Sequence, residues 1–174
     1  MRSTPSRDQW LVAGQELLRR GGIGAVKLSG LTAELGLTTG SFYHSFPNMA
    51  GYLDELARFY GSEQPHALLE SIDDEDPRRR LRLLYELSMR AQRGSLDTAM
   101  RDWAAGHAGA AEAVREADAV LLRFVERAFL DMGCDEPGAR VRAQLFASAG
   151  VARLTPPWPL APDPFDAFLD ALAP

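Results

Sequence analysis

The stretch Leu28–Phe46, LSGLTAELGLTTGSFYHSF, constrains this chain more than any other. Leu28, Leu31 and Leu35 stand at i, i+3 and i+7, one apolar stripe on a helix of about two turns. Gly36 follows where a helix commonly ends in the left-handed conformation, and Leu37 is expected to be the buried residue of the turn. Thr38 or Thr39 can cap a second helix with a side-chain oxygen, and Pro47 limits it. Phe42 and Phe46, four apart, give that helix a buried side. Two short helices crossing through such a turn make a helix-turn-helix, whose second helix can enter a DNA major groove.

The preceding residues supply the core this short motif lacks. Thr4-Pro5 reads as a helix start, a hydroxyl followed by proline at the first helical position. Trp10, Ala13, Leu17 and Leu18 form an apolar face through Arg20, and Gly21-Gly22 ends the helix. Ile23 and Val26 bridge to the next helix, and a three-helix head closes.

Beyond the head, helical spacing continues. Asn48 can cap a fourth helix with Leu53, Leu56, Ala57 and Tyr60 on one face, limited by Pro65. Asp76-Pro77 opens a fifth, lined by Leu81, Leu84, Tyr85 and Ser88. Met100, Trp103 and His107 line a shorter helix stopping near Gly106–Gly109. Val114, Ala117, Leu121, Val125, Ala128 and Met132 form a long stripe ended by Gly133. Glu136-Pro137 opens the next helix, with Val141, Leu145, Ala149 and Ala152 on one side. Pro156-Pro157-Trp158-Pro159 is a stiff connection, and Asp163-Pro164 opens the last helix with Phe165, Phe168, Leu169 and Leu172. No strand-like alternation occurs, so the fold class is all-α, about nine helices. The expected organisation is a DNA-binding head over 1–47 and a helical effector-binding and dimerisation domain over 48–174.

Charge separates these two parts. Residues 1–49 hold five basic and three acidic side chains, net +2, while 50–174 hold 14 basic and 21 acidic, net −7. Only the head can neutralise phosphates, and only modestly. No apolar run approaches the roughly 18 residues of a membrane span, and the N-terminus lacks an apolar signal region. A single cysteine, Cys134, fits a reducing cytoplasm, the expected location. An enzyme fits poorly: three scattered histidines, no metal-ligand spacing, no phosphate-cradling glycine loop and no nucleophile–base pairing. The acidic run Asp73–Asp76 lacks the glycine and spaced ligands of a calcium loop and reads as a solvated loop and helix cap. Neither cofactor nor metal is expected.

Residues 24–56, GAVKLSGLTAELGLTTGSFYHSFPNMAGYLDEL, resemble the DNA-binding domain of the TetR family of bacterial transcriptional regulators. The matching pieces are a first helix ending in Gly-Gly, then L-x-x-L-x-x-x-L-G-L, then T-x-G-S-F-Y-x-x-F-P-N, then an amphipathic helix. The resemblance covers about a quarter of the chain, and the length and helix layout of the remainder agree with it. It implies a DNA-contacting set of Lys27, Ser29, Thr38, Thr39, Gly40, Ser41, Tyr43, His44 and Asn48. Within it, Thr39 and Ser41 carry hydroxyls able to bond base edges or phosphates, Gly40 lets backbone approach DNA closely, and Tyr43 is expected on a phosphate.

The sequence departs from the family pattern where a basic residue often precedes the recognition-helix glycine, here Thr39. It departs again where one follows Phe-Pro-Asn, here Met49, and Ser45 replaces an aromatic or histidine. Each missing phosphate contact weakens binding and flattens its salt dependence. The resemblance further implies a small-molecule effector, apolar or aromatic, in a pocket lined by Tyr60, Tyr85, Met89, Met100, Trp103, His107 and Phe124; ordinary core packing is the competing account of these residues. A homodimer through helices at 137–153 and 163–173 is expected, with Leu145 and Phe146 among its packing residues, and no membrane partner. The function expected is that of a ligand-released regulator, a repressor at a palindromic operator; the alternative is a ligand-binding or interaction protein with a vestigial head.

Overall fold

The computed structural model describes residues 6–89, 91–151 and 164–173, and the regular elements among them are all helical. In chain order they are α1 (Arg7–Gly21), a 3-10 turn (Ile23–Ala25), α2 (Leu28–Leu35), α3 (Thr39–Ser45), α4 (Met49–Glu70), α5 (Pro77–Met89), α6 (Ala91–Ala104), α7 (Ala108–Asp131), α8 (Glu136–Val151) and α9 (Phe165–Leu172). The all-α architecture expected from the periodicity is therefore present, with short turns placed by glycine, proline and aspartate.

Several helix limits differ from expectation for identifiable reasons. α1 starts at Arg7 because Ser6 caps it in a full capping box: its hydroxyl accepts the Gln9 amide, and the Gln9 side chain accepts the Ser6 amide. Thr4 and Pro5 lie outside the described residues, as do Ala152, Pro156–Pro159 and Asp163. α4 does not stop at Pro65 but continues to Glu70. A helical proline forfeits one backbone bond, and packing of the half-buried Leu68 and Leu69 against a hydrophobic core holds the turn beyond it. His107 is not on α6, which ends at Ala104; it stands just before α7. α8 opens at Glu136 as expected, and Asp135 caps it, accepting the Gly138 amide at 3.1 Å. Asp76 caps α5 as expected, accepting the Arg78 amide at 2.9 Å.

Packing divides the chain into two compact units, Met1–Gln64 with Ala91–Ala117 and Pro65–Arg90 with Asp118–Pro174. The division falls elsewhere than the 47/48 boundary, because the head shares its core with α4, α6 and the start of α7. Trp10, Leu18, Leu31, Phe42, Phe46, Tyr52, Leu56, Met100 and Trp103 are all buried in this first core. Gly61 belongs to it too, since a Cβ there would meet the Ala113 backbone at 2.9 Å, so α4 and α7 cross at backbone contact.

The second unit closes around Leu81, Leu84, Val125, Phe129, Ala143, Phe146, Phe165 and Leu169. α9 is too short to be stable by itself. It is held by Phe165 and Leu169 in this core and by ion pairs from Asp166 to Arg82 and from Asp170 to Arg78. The Arg82 guanidinium also lies 4.6 Å from the centre of the Phe165 ring.

Candidate nucleic-acid interface

The turn between α2 and α3 is fixed by backbone bonds that the sequence makes available. Gly36 adopts φ 64° and ψ 37°, the left-handed conformation that costs a residue with a side chain about 1 kcal/mol or more. The Leu37 amide then donates to the Thr32 carbonyl at 2.9 Å and the Gly36 amide to the Ala33 carbonyl at 3.3 Å, a Schellman closure. Leu37 itself is half-buried, packed against the core rather than enclosed by it. Thr38 caps α3: its Oγ1 accepts the Ser41 amide at 3.4 Å and lies 3.1 Å from the Ser41 hydroxyl.

α3 is sharply two-sided. Phe42 and Phe46 are fully buried, their rings 5.4 Å apart. Thr38, Thr39, Gly40, Tyr43 and His44 are exposed, and Ser41 is half-buried. Tyr43 is 57% exposed with its ring edge-on to Phe42, which presents the hydroxyl outward. Gly40 meets nothing closer than Thr38 Oγ1 at 3.8 Å when a Cβ is placed on it. Intramolecular packing therefore does not require a glycine at this position. Lys27 and Ser29 at the start of α2 and Asn48 ahead of α4 are exposed as well. Asn48 Oδ1 accepts the Gly51 amide at 2.8 Å, so its carbonyl is committed to capping α4 and only its amide faces outward chemistry.

Electrostatics around this face are restrained. Arg7 pairs with Glu55, Arg19 with Glu16, and Arg20 with both Glu16 and Glu34. The Arg19 hydrogen bond holds the Glu16 carboxyl below the usual carboxylate range, and the same contact raises the Arg19 guanidinium. Among the described residues of the head, Lys27 is the one cation without an acidic partner.

The residues expected to meet an effector are divided between the two units. Tyr60, Met100, Trp103 and His107 belong to the first unit, and Tyr85 and Phe124 to the second. The Met89 side chain lies outside the described residues. Met100 and Trp103 are core, and the Tyr60 hydroxyl donates to Asp97 Oδ1 at 2.9 Å. His107 has a capping role that the periodicity concealed. Its Nδ1 accepts the Ala110 amide at 3.2 Å at the start of α7, and its ring lies 4.9 Å from Trp103. Tyr85 packs 5.3 Å from Phe165, and Phe124 is half-buried against the second core. A groove of about 550 Å³ in the first unit is lined by other residues, among them Asp8, Val12, Glu16, Arg19, Glu34 and Leu96.

Sequence reasoning missed the residues that hold α3 from behind. Tyr52 is fully buried, and its ring centre lies 4.9 Å from that of Phe46 and 5.5 Å from that of Phe42. Its hydroxyl donates to the Trp10 carbonyl at 2.8 Å. Arg7 lies 4.9 Å over the Phe46 ring while pairing with Glu55. Tyr52, Leu56 and Tyr60 stand at i, i+4 and i+8, which was the available signal; the Arg7–Glu55 pair spans 48 positions and leaves none.

The helix-turn-helix and its flanks, residues 11–56, match the sequence pattern described as bacterial regulatory proteins, tetR family. Solved structures of similar fold cover nearly the whole chain. A transcriptional regulator from Rhodococcus sp. Rha1 has a TM-score of 0.71 at 17% identity, over 97% of this chain and 84% of that one. A TetR transcriptional regulator from Legionella pneumophila has a TM-score of 0.70 at 12% identity, over 99% and 95%. NemR from E. coli in its reduced form has a TM-score of 0.67 at 18% identity, over 83% and 85%. At these identities the likeness is one of fold. No curated protein matches the chain in sequence.

Proposed function

We propose that this chain, whose residues 11–56 match the pattern of bacterial regulatory proteins of the tetR family, is a homodimeric, ligand-responsive repressor of a palindromic operator. The observation that carries this reading is the two-sidedness of α3. Its buried side is locked into the core by Phe42 and Phe46, while Thr39, Gly40, Tyr43 and His44 form an outer face. Such a face, on a helix presented by a tight glycine turn, has the dimensions and chemistry for major-groove contact. Thr39 and Ser41 would meet bases or phosphates, Tyr43 a phosphate, and Lys27 and Ser29 the flanking backbone.

Dimerisation is supported by α8. Ala139, Ala143 and Phe146 turn inward to their own core, so Phe146 is not a subunit-facing residue. Val141 and Leu145, one helical turn apart, are 60% and 52% exposed. An aliphatic pair left open on a helix suits an isologous contact with a second copy, which would place two heads on successive half-sites. Phe165 and Leu169 of α9 are buried in the unit's own core and Asp166 and Asp170 pair with Arg82 and Arg78, so the open pair on α8 carries this contact.

A small apolar or aromatic effector would act by binding better to the conformer whose heads no longer match the operator spacing. A head that has lost DNA binding is the second reading, favoured by the ion pairing of Arg7, Arg19 and Arg20. A mobility-shift assay with DNA from upstream of the chain's own gene separates the two: a retarded complex supports the repressor, and none at low salt leaves the second reading.

A further inference from the structure

Gly14 sits in the middle of α1, where glycine costs about 1 kcal/mol relative to alanine. Its neighbourhood explains why it is there. A Cβ on Gly14 would overlap the Tyr52 hydroxyl and would lie 3.1 Å from Tyr52 Cζ and 3.2 Å from Leu56 Cδ1. The phenol therefore reaches α1 through a notch that only a residue without a side chain leaves open. It uses that notch to donate to the Trp10 carbonyl, one turn earlier on the same helix. On its other side the same ring packs on Phe42 and Phe46, the two buried residues of α3. Trp10 closes the circuit, with its ring 5.5 Å from Phe42.

We infer that Gly14 and Tyr52 form an interlock that sets the pose of the DNA-reading helix against α1, making Tyr52 a positioning residue for operator binding. Tyr52 touches no exposed face and does not contact DNA. It acts by holding both aromatic anchors of α3 while its hydroxyl fixes its own height along α1. Filling the notch forces the phenol out, and the displaced ring presses on Phe42 and Phe46, against which it packs. The recognition helix then shifts while Thr39 and Tyr43 keep their identity. This inference rests on the DNA-binding reading above.

The test is a double-mutant cycle on the full-length protein, with DNA affinity and urea stability measured on each variant at a temperature where it is folded. Gly14→Ala is expected to weaken operator binding about tenfold, and Tyr52→Phe only a few-fold, since the ring remains. The pair Gly14→Ala/Tyr52→Phe is expected to bind within a few-fold of Tyr52→Phe, because the new methyl fills the space the oxygen left. Additive losses of both affinity and stability would overturn the interlock. Gly14→Ala that binds DNA like the parent, or losses confined to stability, would overturn the positioning role. If Gly14→Ala alone does not fold, recovery of folding and binding in the double variant supports the inference, and failure of both overturns it. If the parent protein binds no DNA, the regulator reading and the positioning role fall together, whereas the interlock is still decided by coupling in the urea data.

Discussion

Arg20 on α1 forms an ion pair with Glu34 near the end of α2, so one of the few cations of the head is directed at the protein's own carboxylate. Replacing Glu34 with glutamine removes one of the two carboxylate partners of Arg20, leaving Glu16, and raises the net charge of the head by one. Operator binding should tighten a few-fold and its dependence on salt should steepen by up to about one unit of slope. Both partners are substantially exposed, so stability should change by less than about 0.5 kcal/mol. Fluorescence anisotropy across a salt series reads both quantities; an unchanged affinity and slope would show that Arg20 has no access to the DNA field.

Thr39→Ala and Tyr43→Phe each remove one outward hydroxyl and nothing from the core. Each should weaken operator binding by roughly 3- to 30-fold, the range of one or two lost hydrogen bonds, while thermal unfolding stays within about 0.5 kcal/mol of the parent. Unaltered affinity in both variants would remove these residues from the interface.

Burial pushes the Tyr52 phenol well above its ordinary value of 10.0. The unfolded chain therefore releases this proton first as pH rises. The stability associated with the neutral phenol is complete below about pH 10 and declines above it. Urea midpoints measured from about pH 8 to pH 11 should fall at the alkaline end, and less steeply in Tyr52→Phe. Equal slopes for the two proteins would mean that Tyr52 ionises as freely folded as unfolded.

Val141→Glu and Leu145→Glu place charges on the open face of α8. Equilibrium sedimentation should give a dimer for the parent at micromolar concentration and a monomer for the paired variant. A monomeric parent would contradict the dimer, and a dimeric variant would move the interface elsewhere.

Local chemistry made much of this fold legible in the sequence. Gly36, Thr38, Asn48 and Asp76 each act through atoms within a few residues, and each takes up the turn or cap its type predicts. What stayed hidden depends on distant partners. Pro65 reads as a stop until Leu68 and Leu69 are seen packed against a core beyond it. His107 fits the apolar spacing of Met100 and Trp103, yet its ring nitrogen serves the next helix. Phe146 and Leu145 are neighbours in an alanine-rich helix, and only packing tells which faces the core. The exposed side of α3 was readable because exposure there follows directly from the burial of Phe42 and Phe46. The notch at Gly14 was not, because a glycine inside a helix gives no hint of the phenol 38 positions away that fills it.

The central claim is that α3 reads DNA from a head with few free cations. The most direct measurement is binding of the full-length protein to a duplex from upstream of its own gene, by anisotropy, between about 50 and 200 mM salt. The account predicts specific binding that weakens with salt along a shallow slope, below that of proteins making 6–10 phosphate contacts. No binding at the lowest salt, or equal affinity for an unrelated duplex throughout, would contradict it.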